Sequence, residues 1–224
     1  MKKLVDGIID FRQHSLAEYK AKFSKLAAGQ SPDTLFIACC DSRVVPNVFA
    51  SSDPGDLFVL RNIGNLVPPY GAVEEPNSAD MSVGAAIEFS LGVLGVKDII
   101  VCGHSECGAM DALIADGIHH KQSFTNKWLT YAWPAYKNFE QHVHHPHLRT
   151  ALSKGNQLSQ VNVLEQIVHL KTYPIVQEKL AAGEVKLHGW WFDLATADVL
   201  YYNQNRHEFI IVDQDSAQEL LESL

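Results

Sequence analysis

Three short apolar runs constrain the fold of this chain more than any other feature of its sequence. Each is typical of a buried strand, and they span residues 34–40, 56–62 and 97–104. Apolar residues at helical spacing precede, separate or follow them, in residues 5–28, 78–95 and 107–117. Because strands that alternate with helices form parallel sheets with helical crossovers, the sequence predicts an α/β fold.

The second half of the chain predicts more helix and then more strands. Residues 124–182 have a helical pattern that a histidine-rich stretch at 141–148 interrupts. Residues 184–213 predict one strand followed by a two-strand stretch that turns around 203–206, and residues 216–224 predict a final helix. No linker is evident, so we expect a single domain over 1–224. Its parts are an N-terminal helical arm (1–30), a core (31–120), a helical segment (121–183) and C-terminal strands with a helix (184–224).

Composition excludes several classes of protein. The hydrophobic content of 46% can supply a core without disulfides, and four cysteines are too few for a disulfide scaffold of this length. The formal net charge of −8 argues against a nucleic-acid partner, which would favour a basic face.

The expected location follows from hydropathy. No run approaches the roughly 20 apolar residues of a membrane span, and Asp6, Asp10 and Arg12 interrupt the apolar start. We therefore expect a cytoplasmic protein with reduced thiols and no membrane partner. An address to a chloroplast or carboxysome stays open, because a mature chain would have lost a cleaved peptide.

Metal-capable side chains follow two of the predicted strands directly. The first segment is CCDSR (39–43) and the second is HSECG (104–108). Ligand sites of parallel α/β sheets form beyond the carboxyl ends of the strands. If the two strands are neighbours, Cys39, His104 and Cys107 can converge. Two thiolates and an imidazole suit Zn²⁺, and three protein ligands leave the open position of a catalytic zinc.

Two other cysteines leave a structural zinc site open as an alternative. Cys40 or Cys102 could close the shell as a fourth ligand, which would indicate an interaction module rather than an enzyme. Adjacent side chains of a strand point to opposite faces, so Cys40 is expected to face away from Cys39. Cys102 lies inside an apolar run and is expected in the core. A redox dithiol is disfavoured because the chain has no C-x-x-C.

The two segments together resemble the β-class carbonic anhydrases, whose motifs are C-x-D-S-R and H-x-x-C-G. The resemblance covers roughly residues 1 to 213 and includes GDLFVLRNIGNLVPPYG and KLHGWWFDL. It implies reversible hydration of CO₂ to bicarbonate and a proton by a zinc-bound hydroxide. One Zn²⁺ per subunit would be held by Cys39, His104 and Cys107. The alternative is a hydrolase of carbonyl sulfide or carbon disulfide that uses the same zinc hydroxide.

The resemblance assigns the catalytic roles to Asp41 and Arg43. Asp41 would accept a hydrogen bond from the hydroxide and orient it, while Arg43 would hold Asp41 ionised through a bidentate pair. In the family, Asp41 can bind zinc directly when that pair breaks, which closes the site. Two thiolate ligands weaken the Lewis acidity of the metal, so we expect a pH optimum above neutral.

The resemblance also assigns the residues that would bind the substrate. Phe58, Ile63 and Phe89 would form an apolar wall for CO₂, with Phe89 arriving from a partner subunit. Similar family members often carry Tyr at position 89. Gln30 and the backbone N–H of Gly108 would donate to a substrate or bicarbonate oxygen. From periodicity alone, Phe58 and Ile63 are core residues of a strand.

Two phenylalanines bear on regulation. One subset of the family has a non-catalytic bicarbonate pocket that favours the closed site, and it uses a Trp and a Tyr where this chain has Phe36 and Phe192. Because Phe cannot donate a hydrogen bond, we predict that this chain lacks that inhibition and keeps an open site near neutral pH.

The resemblance implies an α/β fold and an oligomer. The fold would be a mostly parallel mixed β-sheet flanked by helices, with an N-terminal helical arm that clasps a second subunit. The assembly would be a homodimer or a higher homo-oligomer such as a tetramer or octamer. His142, His144, His145 and His147 predict a solvated loop, with a second metal site as the alternative.

Overall fold

The computed structural model describes residues 1–73, 81–116, 123–141 and 151–223, and six strands within these ranges form one sheet in the order β2-β1-β3-β4-β5-β6. The strands are β1 Thr34–Cys39, β2 Leu57–Asn62, β3 Asp98–His104, β4 Lys186–Phe192, β5 Val199–Asn203 and β6 Glu208–Ile211. The first four strands in this order run parallel to one another. Strand β5 pairs antiparallel with β4, and β6 pairs antiparallel with β5. The predicted mostly parallel mixed sheet is confirmed.

Helices flank this sheet. They are α1 Lys2–Asp10, α2 Leu16–Leu26, α3 Pro46–Phe49, α4 Tyr70–Val73, α5 Ser82–Phe89, α6 Gly108–Asp116, α7 Phe124–Leu129, α8 Trp133–Glu140, α9 Lys154–Leu170, α10 Pro174–Ala181 and α11 Gln214–Ser223. A π-helical turn joins α1 to α2, and another extends α5. The sequence predicted a helix from residue 78, and residues 78–80 lie outside the described ranges. The histidines of residues 142–147 also lie outside them.

Strands β1 and β3 are buried on both faces, which explains their unbroken apolar sequences. Leu35, Ile37, Ile99 and Val101 face one side, where they pack with Trp191 and Val163 of α9. Phe36, Ala38, Ile100 and Cys102 face the other side, with Phe192. This alternation follows the two-residue period of a strand. Helix α9 crosses β3 and β4 and forms the floor beneath the carboxyl end of β3.

The N-terminal arm has no buried residue in this single chain, although every residue of its helices is described. Leu4 and Ile8 of α1 are 65% and 60% exposed, and Phe23 of α2 is 48% exposed. An apolar stripe at helical spacing normally packs against another element. No helix in the described ranges is both long and apolar enough to cross a membrane. The single-domain organisation stays a prediction.

Candidate metal centre

The metal-capable side chains meet because β1 and β3 are parallel neighbours. Cys39 ends β1, His104 ends β3, and Cys107 lies three residues further on, directly before α6. The Sγ atoms of both cysteines and one ring nitrogen of His104 all lie within 4.8 Å of one another. All three side chains are buried. The structure therefore brings together the three residues that the sequence singled out.

The hydrogen bonds of His104 leave one ring nitrogen for a metal. Its Nδ1 lies 2.8 Å from the carbonyl oxygen of Ser105, which can only accept, so Nδ1 carries the hydrogen. Its Nε2 is buried and has no hydrogen-bond partner among the described residues. Buried polar atoms without partners are rare in folded proteins. A bare imidazole nitrogen beside two thiols fits a borderline-soft cation such as zinc.

The two thiols differ in acidity. The hydrogen bond from Cys107, together with the N–H groups of Gly64 and Asp41, lowers the pKa of Cys39 to about 4 against the opposing effect of burial. The hydrogen bond with Cys39 and burial raise the pKa of Cys107. The Gly64 nitrogen lies 3.4 Å from the Cys39 sulfur. The pair thus favours one thiolate, and a divalent metal must displace the second proton, so metal affinity should fall at low pH.

Asp41 lies beside this group in a bidentate pair with Arg43. Arg43 Nε donates to Oδ1 of Asp41 at 2.9 Å, and Arg43 Nη2 donates to Oδ2 at 2.7 Å. The Arg43 backbone N–H adds a third bond at 3.0 Å. These bonds hold the pKa of Asp41 well below its usual range, mainly through the guanidinium. The Asp41 carboxylate is not part of the Cys39–His104–Cys107 group.

Arg61 is a positioning residue that the sequence analysis missed. From β2 its Nε donates to the carbonyl of Cys39 at 2.9 Å, and its Nη2 donates to the carbonyl of Asp41 at 2.7 Å. The planar guanidinium suits two acceptors at once. The signal in the sequence is a charged residue near the end of an otherwise apolar strand.

Helix α9 supports both loops of the centre with polar side chains that the sequence analysis also missed. Ser159 donates to the carbonyl of His104 at 2.8 Å, and Asn162 donates to the carbonyl of Gly64 at 3.1 Å. Gln166 accepts from the N–H of Val67 at 2.8 Å. Side chains three or four residues apart share one face of a helix. A row of buried polar residues at that spacing was the signal in the sequence.

The remaining cysteines lie apart from the centre. Cys40 is exposed, and Cys102 is buried in the apolar cluster on the other face of the sheet. Among the described residues, neither joins the group of Cys39, His104 and Cys107. Within the described part of the chain the group thus has three residues, and three protein ligands are typical of a catalytic rather than a structural zinc site.

Comparison with known proteins identifies the family. A family model described as "Carbonic anhydrase" matches residues 34–199. A carbonic anhydrase from Synechocystis sp. is 37% identical over 215 residues, which cover 94% of this chain and 74% of the relative. The solved structure of the β-carbonic anhydrase CcaA matches with a TM-score of 0.84 at 35% identity, covering 96% of this chain and 92% of that one. A β-carbonic anhydrase from Sordaria macrospora, described as tetrameric, has a TM-score of 0.75 at 27% identity, with 89% and 95% covered.

This chain belongs to the β-class carbonic anhydrase family. The prediction of an enzyme of the carbonate dehydratase type, a lyase, is thereby confirmed.

Two of the five predicted substrate-binding residues lie beside the candidate metal centre of the same chain. Ile63 directly precedes Gly64 and is 46% exposed. Gly108 directly follows Cys107 at the start of α6, and a side chain added there would meet nothing within 4 Å. Both residues therefore border open space beside the three metal-capable side chains.

The other three lie at the opposite end of the sheet. Phe58 pairs with Leu35, four residues before Cys39 and so about 13 Å back along the strand. Phe89 packs on Phe58 of the same chain, with ring centroids 5.9 Å apart. Gln30 precedes β1 and shares a groove with residues 54 and 55, which precede β2. Within one chain the structure does not bring these three to the centre, whereas the sequence analysis placed only Phe89 on a partner.

The two phenylalanines of the predicted missing bicarbonate pocket lie in an aromatic cluster. Phe49 of α3 stacks on Phe192 at 4.5 Å between centroids, and Phe36 lies 6.1 Å from Phe49. Both Phe36 and Phe192 are buried. Aromatic rings without polar atoms offer an anion no hydrogen bond. The absence of bicarbonate inhibition stays a prediction.

Proposed function

We propose that this chain catalyses the reversible hydration of CO₂ to bicarbonate and a proton, with one zinc ion per subunit. One observation carries the proposal. The unpartnered Nε2 of buried His104 lies in a group with two cysteine sulfurs within 4.8 Å, next to an ion-paired carboxylate. Membership of the β-carbonic anhydrase family supports the same reaction.

The zinc ligands in this proposal are Cys39, His104 and Cys107. When bound, zinc supplies a Lewis acid that lowers the pKa of a coordinated water, so that a nucleophile exists near neutral pH. The bond from Nδ1 of His104 to the Ser105 carbonyl fixes the tautomer and aims Nε2 at the centre. The N–H of Gly64 stabilises the thiolate of Cys39.

Asp41 would orient the attacking water. Its carboxylate is ionised at neutral pH and can therefore only accept hydrogen bonds. Arg43 donates to Oδ1 through both Nε and its backbone N–H and to Oδ2 through Nη2, which fixes the plane of the group. The remaining lone pair on Oδ2 can accept the O–H of the water, which leaves the lone pair of the water's oxygen free to point at CO₂. This positioning lowers the entropy cost of the attack.

The substrate pocket in this proposal is shared between two subunits. Ile63 supplies apolar surface, and the N–H of Gly108 donates to a substrate oxygen. Gln30, Phe58 and Phe89 would reach the centre of the neighbouring subunit, because they lie together at the far end of their own sheet. A small apolar molecule such as CO₂ suits a pocket with apolar walls and few donors.

The proposed assembly is a homodimer or a higher homo-oligomer. The exposed apolar stripe of the arm, with Leu4, Ile8 and Phe23, supports a clasp on a second subunit. The Sordaria macrospora relative is described as tetrameric, which favours the same type of assembly. We also propose a cytoplasmic location, in keeping with four cysteines that form no disulfide.

The test compares two neighbouring cysteines. Cys39→Ser is expected to lose zinc and CO₂ hydration, whereas the matched control Cys40→Ser keeps both, because Cys40 is exposed and outside the group. Zinc content is measured by elemental analysis and hydration by stopped-flow indicator assay. Zinc-loaded wild type without CO₂ hydration would contradict the proposal. Release of sulfide from carbonyl sulfide by that protein would instead favour the hydrolase alternative.

A further inference from the structure

Glu106, the residue before Cys107, has a backbone conformation that needs support from elsewhere. Its φ of 55° lies in the left-handed region, which residues other than glycine adopt rarely because the Cβ crowds the carbonyl oxygen. Strained residues of this type persist only where the surrounding structure holds them. The residue that holds Glu106 therefore also sets where the turn presents its carbonyl oxygen.

Asn156 of α9 supplies that support from a rigid position. Its Oδ1 accepts from the N–H of Glu106 at 2.7 Å, and its Nδ2 donates to the Glu106 carboxylate at 3.0 Å. Asn156 is 8% exposed. Its own N–H donates to Oγ of Ser153, the residue that caps α9. Next to it, Gly155 packs so closely on Asp111 of α6 that any added side chain would collide.

One nitrogen of Arg43 connects the turn at Glu106 to the Asp41–Arg43 pair. Nη2 of Arg43 donates to the carbonyl oxygen of Glu106 at 3.0 Å and to Oδ2 of Asp41 at 2.7 Å. Arg43 is about half exposed, so its long side chain has few other restraints. The Glu106 carbonyl therefore fixes the direction from which the guanidinium holds Asp41.

We infer that Asn156 is a positioning residue for the reaction, acting on Asp41 through Glu106 and Arg43. The inference rests on the proposed CO₂ hydration. Asn156 touches no reacting group, and its effect on the rate depends on Asp41. A purely structural Asn156 would contribute to folding and leave the energetics of Asp41 unchanged.

The first test uses Asn156→Ala and Asn156→Asp, with Asn138→Asp as the matched control. Asn138 also donates to a glutamate carboxylate, that of Glu165 at 2.9 Å, and no hydrogen bond among the described residues connects it to Arg43. We expect both Asn156 variants to bind zinc fully and to lose about tenfold in kcat/KM for CO₂. Asn138→Asp should keep kcat/KM even if its melting temperature falls equally.

Two double variants distinguish a positioning role of Asn156 from a general loss of structure. Asn156→Asp with Glu106→Gln reverses the direction of the side-chain hydrogen bond and is expected to restore most of the lost kcat/KM. Combining Asn156→Ala with Asp41→Ala should give less than the product of the single losses, because one variant acts through the other. Losses that multiply, or a wild-type kcat/KM in zinc-loaded Asn156→Ala, would overturn the inference.

A structural measurement that does not depend on enzyme activity completes the test. In crystals of metal-free Asn156→Ala we expect the 3.0 Å bond from Arg43 to Glu106 to be broken, and an unchanged bond would overturn the inference. Failure of the proposed function has a different signature. There, zinc-loaded wild type is itself inactive towards CO₂, whatever the geometry of Arg43 in the variant.

Discussion

Gly103 offers a quantitative test of how the floor of the metal centre is built. It lies directly before His104, where α9 crosses the sheet. A Cβ at this position would lie 2.7 Å from Cγ2 of Val163 and 3.1 Å from both Oγ of Ser159 and Cδ1 of Trp191. Ordinary carbon contacts are about 3.5–4.0 Å, so Gly103→Ala must displace α9 or β3 by close to an ångström.

The expected cost follows from those contacts. Val163 and Trp191 are fully buried, so overpacking should destabilise the fold by about 1–3 kcal/mol. Moving Ser159 also weakens its 2.8 Å bond to the His104 carbonyl, which adds about 1 kcal/mol. A total of about 2–4 kcal/mol lowers the melting temperature of a chain of this size by roughly 5–15 °C.

Scanning calorimetry at a fixed chain concentration measures this effect. Gly189→Ala is the graded control, because the nearest atom to its Cβ would lie 3.0 Å away rather than 2.7 Å, and its loss of stability should be smaller. A Gly103→Ala protein as stable as wild type would refute the close approach of α9 to β3. A larger loss in Gly189→Ala would refute the ranking.

Three other predictions concern Asp41, Gly108 and the N-terminal arm. Because the pKa of Asp41 is lowered in the fold, its pair with Arg43 stabilises the protein above the ordinary carboxylate pKa, and this stabilisation is lost as pH falls. Urea titrations of Asp41→Asn should therefore show a smaller loss of stability in acid than those of the wild type. An identical pH dependence of the two proteins would contradict this. Gly108→Ala has space for its methyl group, so the melting temperature should stay the same while kcat/KM falls. An unchanged kcat/KM would remove Gly108 from the pocket. Deleting residues 1–26 should reduce the mass of the assembly in light scattering, and an unchanged mass would refute the clasp.

The strands and the metal-capable group could be predicted because their signals are local. Apolar runs at 34–40 and 97–104 predicted β1 and β3, and polar residues directly after them located the centre. Parallel strands end at the same edge, so convergence of Cys39, His104 and Cys107 needed only that the strands be neighbours, which they are.

The supporting residues could not be found in the same way. Asn156 and Ser159 act from a helix about 50 residues downstream of His104. Apart from the Glu106 carboxylate that Asn156 also contacts, their partners in this turn are backbone atoms, which leave no complementary residue type to search for. The location of Gln30, Phe58 and Phe89 away from the centre depends on strand register, which fixes distance along the sheet. Residue types alone carry no such distance.

The central claim is that Cys39, His104 and Cys107 hold a zinc whose chemistry Asp41 directs at CO₂. The most direct measurement is stopped-flow CO₂ hydration from about pH 6.5 to 9 on zinc-quantified wild type and Asp41→Ala. The account predicts wild-type activity that rises with pH and a large loss in the variant at equal zinc content. Equal activity of the two proteins, or an inactive wild type at full zinc occupancy, would contradict it.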